Sequence, residues 1–124
     1  MSADPYSSLV RQYFAAAAHA GDLNDAETAD VEEQGVRIRL AATHVNGKIL
    51  ALAFRAWGCP HVIAACEGFC AEFEGKPVAS LGEFRAADIM QKLSVPVEKT
   101  GRILVLEDAV RSLGQRICDG PVSQ

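Results

Sequence analysis

Cys59, His61, Cys66 and Cys70 are the soft donors of this chain, and they share one short stretch. A metal site is the first chemistry such a set suggests. A closed zinc site, however, usually pairs two short-spaced ligands with two more from elsewhere, and that spacing is absent. Cys66 and Cys70 lie one helical turn apart on an apolar stripe, where a cysteine behaves as a small hydrophobe. Cys118 stands apart near the tail. For His61 three readings stay open: a surface residue, a metal ligand, or a partner of a Cys59 thiolate.

Cys59 differs because its position supplies a reason for reactivity. Leu50, Leu52 and Phe54 alternate with Ala51, Ala53 and Arg55, which describes a strand. Gly58 breaks it, Pro60 follows, and the apolar residues then recur at helical spacing. Proline suits a first helical turn. Cys59 therefore sits at a strand-to-helix junction, where converging amides and the helix dipole favour a thiolate. A nucleophilic-cysteine enzyme would also need a base and a group that orients it. His61 is two residues away, His44 and His19 are elsewhere, and no signature ties them together. No enzymatic activity is expected.

The elements that must position Cys59 follow from the same patterns. A helix is expected from Pro5 to Ala20, capped by Asp4, carrying Leu9, Val10, Tyr13, Phe14 and Ala17, and ended by Gly21. Residues 22–34 are acidic and read as a solvated face or loop, part of it an edge strand. Val36, Ile38, Leu40 and Ala42 alternate with Arg37, Arg39, Ala41 and Thr43. Asn46-Gly47 is a tight hairpin turn, and Lys48–Trp57 is the return strand. The central helix runs from Pro60 to Phe73. Ser80-Leu81-Gly82-Glu83 has the form of a capping box opening a helical turn. Residues 88–93 make a second short helix, Val95-Pro96-Val97 breaks it, and Arg102–Ile117 is amphipathic. The fold class is α+β: an N-terminal helix, a three-stranded antiparallel sheet, and helices packed on one face.

The chain has 124 residues, of which 49% are hydrophobic and 23% charged, a balance that suits one soluble globular domain, 1–124, with its core at about 6–117. A net charge of −4 without a basic block argues against nucleic acid as a partner. No export signal and no membrane-spanning apolar run is evident, so a cytoplasmic location with reduced thiols and no membrane association is expected.

The strand, the Asn46-Gly47 turn, Lys48–Trp57, Gly58-Cys59 and the small-residue-rich helix together resemble the iron–sulfur cluster assembly scaffolds of the NifU N-terminal (IscU) type. Lys76–Leu93 matches that family's short-helix region, and Leu106-Glu107-Asp108-Ala109-Val110 its last helix. The resemblance covers Tyr6 to Ile117. It implies a scaffold role, iron or an iron–sulfur cluster as cargo, and a cysteine desulfurase and a chaperone as partners.

The resemblance also implies a ligand set of three cysteines with a histidine or aspartate nearby. Cys59 matches the second cysteine. The first falls on Glu33 and the aspartate on Gly35. The histidine and the third cysteine that follows it fall on Gly101 and Arg102. The family positions Glu33, Gly101 and Arg102 are thus replaced, and because a two-iron cluster wants about four thiolate-like ligands, no conventional site is expected. Two expectations follow. One is a scaffold that binds iron, a labile cluster or persulfide sulfur at Cys59, helped by Cys66, His61 or Glu33. The other is a ligand-depleted interaction module without a cofactor, docking for instance a cysteine desulfurase, with Glu33 and Arg102 paired across an empty pocket. Arg102 has a second option, a Cys59 thiolate.

Overall fold

A computed structural model describes residues 7–118. Three antiparallel strands, β1 (Glu27–Glu33), β2 (Val36–Val45) and β3 (Lys48–Trp57), form one sheet in the order β1-β2-β3. Among the described residues four helices accompany it: α1 (Ser8–Ala15), α2 (Pro60–Phe73), α3 (Ala86–Leu93) and α4 (Thr100–Cys118). Short 3₁₀ turns at Val78–Glu83 and Val97–Lys99 precede α3 and α4. The expected α+β layout is the one observed. Among the described residues, no helix is long and apolar enough to cross a membrane.

Both hairpins turn on two residues with positive φ: Gln34 and Gly35 between β1 and β2, Asn46 and Gly47 between β2 and β3. Such turns match the twist of the strands they join. Alternation then sends Ile38, Leu40, Ala42, Leu52 and Phe54 into the core. α2 packs on β3, α4 packs on β1 and β2, and α1 lies against α2. The helical face of the core is Val62, Phe69, Ile103, Leu106, Val110 and Leu113, all buried. α1 comes close because α2 carries Gly68, where an added Cβ would lie 2.8 Å from Ile89 Cδ1 and 3.2 Å from Tyr13 Cε2.

The first helix is shorter than its composition suggests. Asp4 and Pro5 lie outside the described residues. The cap is Ser7, whose Oγ accepts from the Val10 amide at 3.2 Å and donates to the Leu93 carbonyl at 2.7 Å. The helix stops at Ala15 despite a run of alanines. Residues beyond it are drawn onto the outer edge of β3, where Ala20 pairs with Phe54 in parallel. Tertiary pairing overrides propensity here. Gly21 therefore ends this extended segment rather than a helix, at φ 139°. Ser80 also departs from expectation. It lies inside the 3₁₀ turn, and its hydroxyl donates to the Pro77 carbonyl at 2.6 Å instead of capping.

α3 begins two residues early because another helix supplies its cap. Glu107 of α4 accepts the Ala86 amide at 2.6 Å through Oε1 and holds Arg111 at 2.9 Å through Oε2. Glu107→Ala leaves that amide without its charged acceptor and is expected to lower stability by about 1–3 kcal/mol. Glu107→Gln keeps an acceptor and recovers most of the loss. Urea denaturation of the three proteins checks this, and equal midpoints would remove the cap's contribution.

Candidate functional site

Cys59 is the N-cap of α2, with extended backbone (φ −80°, ψ 168°) and Pro60 following in the first helical position. Its carbonyl already accepts the Val62 amide at 2.9 Å and the Ile63 amide at 3.3 Å. The thiol closes no cap hydrogen bond, yet it lies where several positive groups converge. Partial burial pushes the Cys59 thiol up. The amides of Val62 and His61, the Arg102 side chain and the Lys99 charge push it down, and their sum holds it below the ordinary thiol range. Cys59 remains partly exposed and open to a reagent.

These neighbours come from the other end of the chain. Pro96, with φ −61° and ψ 146°, turns the backbone into the 3₁₀ turn Val97–Lys99, and α4 starts at Thr100. That brings Lys99 and Arg102 to the Cys59 side. The tip of the first hairpin arrives from a third direction. A Cβ on Gly101 would lie 3.9 Å from Cδ of Gln34 and 4.0 Å from its Oε1. So three chain segments meet at the start of α4: the hairpin tip, the Cys59 junction and the turn ahead of α4.

The candidate donors divide differently from the expectation. His61 is buried, 2% exposed. It is not a surface residue. Burial and the Lys99 charge push its imidazole down against a small pull from Glu98, favouring the neutral ring. Cys66 and Cys70 are fully enclosed in the core, and burial drives both thiols far above their ordinary range. Glu33 is exposed at the end of β1, and the side chain that lies against Gly101 belongs to its neighbour Gln34. Glu33 and Arg102 form no ion pair among the described residues; Arg102 instead lies near enough to Cys59 to help lower its pKa. Among the described residues no three His, Cys, Asp or Glu side chains converge where a metal ion could sit.

The arrangement can therefore stabilise one thiolate and present it to a reagent. It does not supply the several thiolates a two-iron cluster needs. Lys99 is the neighbour that residue types alone did not single out, and Gln34 stands one residue beyond the expected Glu33.

The comparisons with known proteins agree with this geometry. The NifU-like N terminal domain family matches residues 5–113. Among solved structures, one neighbour is described as a candidate iron–sulfur cluster assembly scaffold protein for the SUF system from Fervidobacterium islandicum. It superposes with a TM-score of 0.60 at 17% identity, covering 91% of this chain and 86% of its own. A nitrogen-fixing NifU-like protein (N-terminal) from Brucella abortus gives a TM-score of 0.63 at 12% identity, with 89% and 94% covered. A hypothetical protein gives 0.54 at 24% identity, with 88% and 86% covered. These likenesses establish the shared fold. No curated protein sequence matches. With most of its length matched by the family, this chain belongs to the NifU-like N-terminal domain family.

Proposed function

We propose that this chain works in iron–sulfur cluster assembly as a non-enzymatic acceptor of sulfur at Cys59. The observation that carries the reading is the Cys59 thiol itself, held toward its thiolate beside Arg102 and Lys99 while no cluster of donors among the described residues surrounds it. In the step proposed, the Cys59 thiolate attacks the outer sulfur of a donor cysteine persulfide. A new S–S bond forms at Cys59 Sγ, the donor's S–S bond breaks, and the donor cysteine leaves as a thiolate. The outer sulfur carries its proton across, so no oxidant or reductant is needed. Iron and a cluster are cargo in this scheme, completed on other proteins. A cysteine desulfurase and a chaperone are the partner classes the family suggests.

A second reading rests on Val97, an apolar side chain left 82% exposed in the turn ahead of α4. A single exposed apolar side chain is ordinary surface, so this reading, an interaction module, rests on Val97 only as a side chain a partner could cover. One experiment separates the readings. In a Cys118→Ser background, because Cys118 is exposed, the parent and Cys59→Ala are treated anaerobically with glutathione persulfide, and separately with ferrous iron and sulfide. Intact-mass analysis is expected to show one added sulfur on the parent and none on the Cys59→Ala variant. A stoichiometric iron–sulfur chromophore lost in Cys59→Ala would overturn the sulfur-only reading in favour of a scaffold. Neither adduct nor iron would leave the interaction module.

A further inference from the structure

The outer edge of β3 is closed by three different devices. Ile49 donates to the Lys76 carbonyl at 2.9 Å and accepts from Gly75 at 3.0 Å. The Leu52 amide donates to Glu74 Oε2 at 2.9 Å. Phe54 donates to the His19 carbonyl at 3.0 Å and accepts from the Gly21 amide at 2.8 Å. An open strand edge invites pairing with another chain, so each device withholds part of a template that leads directly into Cys59.

The device at Phe54 hangs on one side chain. His19 Nδ1 lies 2.6 Å from Glu67 Oε2, and Nε2 lies 3.1 Å from Glu74 Oε1. The His19 amide donates to the other Glu67 oxygen at 2.9 Å. A neutral imidazole has one N–H and one lone pair, so it can donate to only one of two carboxylates. With both carboxylates ionised, the two contacts are satisfied together only by the imidazolium. We infer that His19, Glu67 and Glu74 form a pH-gated clasp that holds His19–Gly21 on the edge of β3 and releases it when the ring loses its proton.

The surroundings support the direction. The charged groups facing the ring are Glu67 of α2 and Glu74, the residue that caps its end. β3 contributes the backbone at Leu52 and Phe54, and its Arg55 is engaged by Asp22 at 2.8 Å. From α1, Tyr13 packs beside Gly68. Lys76, beyond α2, pairs with Glu72 at 3.7 Å. Burial disfavours the charged ring, but the two carboxylates outweigh it and raise the His19 pKa above its ordinary value. Burial likewise pushes Glu74 up, while the Leu52 amide and His19 hold it below the usual carboxylate range. The raised His19 pKa makes its contribution complete at low pH and lost as pH rises through the folded value. The depressed Glu74 pKa makes its contribution present above the unfolded carboxylate value and lost in acid. The clasp is closed between these limits and opens on the alkaline side. Release at Phe54 would extend the open edge toward Ala56 and the Cys59 junction.

NMR on the full chain tests this without any variant. The His19 ring is expected to titrate above 6.5, and amide protection factors at Gly21 and Phe54, corrected for intrinsic exchange, to fall through the same midpoint. A ring pKa higher by one corresponds to about a tenfold change in that equilibrium. Ile38 and Leu40 in the central strand should keep their protection. His19→Gln is expected to lose at least about tenfold protection at Gly21 and Phe54 at pH 6 and to abolish the step; Glu74→Gln, which keeps the acceptor for Leu52, should lower the ring's midpoint. A ring that titrates at or below 6.5, or Gly21 and Phe54 protection unchanged through its titration, would overturn the clasp.

Discussion

Phe69→Ala is expected to cost about 3–5 kcal/mol, among the largest single losses available in this fold. Phe69 has no exposed surface. Its ring stacks on Phe73 at a centroid separation of 5.1 Å and 29°, and meets Phe84 edge-on at 5.2 Å and 74°. Phe73 and Phe84 also meet edge-on, at 5.8 Å. These three rings join α2 to the segment entering α3. Truncating the central one removes apolar transfer energy and both ring contacts, and it opens a void that helix backbones cannot collapse into. Domains of this size are stable by only about 5–15 kcal/mol, so the variant should unfold at a much lower urea concentration. Phe69→Leu, which refills part of the volume, should recover a substantial share. A loss below about 1 kcal/mol would show that the cluster relaxes around the gap and that the rings are not the hub of the core.

Two of the chain's local signals hold. Asn46-Gly47 between two alternating runs is the turn observed, and Pro60 and Phe73 bound α2 as their spacing implied. Both signals live within a few residues, where periodicity and turn chemistry decide. The N-terminal helix shows the opposite case. Ala15 to Ala18 favour helix in isolation, but Ala20 finds a partner in Phe54, far along the chain. The site is hidden for the same reason. Cys59 was legible from its junction. Arg102 and Lys99 reach it through a turn after Pro96, and Gln34 through a hairpin tip, so no window of sequence contains them together. The His19 clasp is more remote still, joining residues 48 and 55 positions apart. Its partners are Glu67 on α2 and Glu74, the residue that caps the end of α2, and only the extended path after Ala16 carries the ring to them.

Removing the guanidinium beside Cys59, in Arg102→Gln, is expected to slow alkylation of this thiol by iodoacetamide several-fold to about tenfold at neutral pH. The experiment belongs in a Cys118→Ser background, because Cys118 is exposed while Cys66 and Cys70 are buried; Cys59 then reports alone. The sign follows from the causes. Burial raises the Cys59 pKa, and the Val62 and His61 amides, Arg102 and Lys99 lower it further than burial raises it. Deleting one of the lowering groups moves the rate–pH midpoint upward, and at a pH below both midpoints a rise of one leaves about a tenth of the thiolate. Arg102→Lys keeps a cation and should fall between the two. Lys99→Gln, acting through charge without a hydrogen bond, should move the midpoint less. An Arg102→Gln profile that overlays wild type would show that the helix amides alone set the reactivity. The outcome bears on function as well as on reactivity. A guanidinium that stabilises a thiolate also opposes a cation at the same sulfur, so the residue that makes Cys59 a better sulfur acceptor makes it a poorer iron ligand. Arg102→Cys, which adds a thiolate at the family's ligand position while removing that opposition, should bind more ferrous iron than the parent under anaerobic reconstitution.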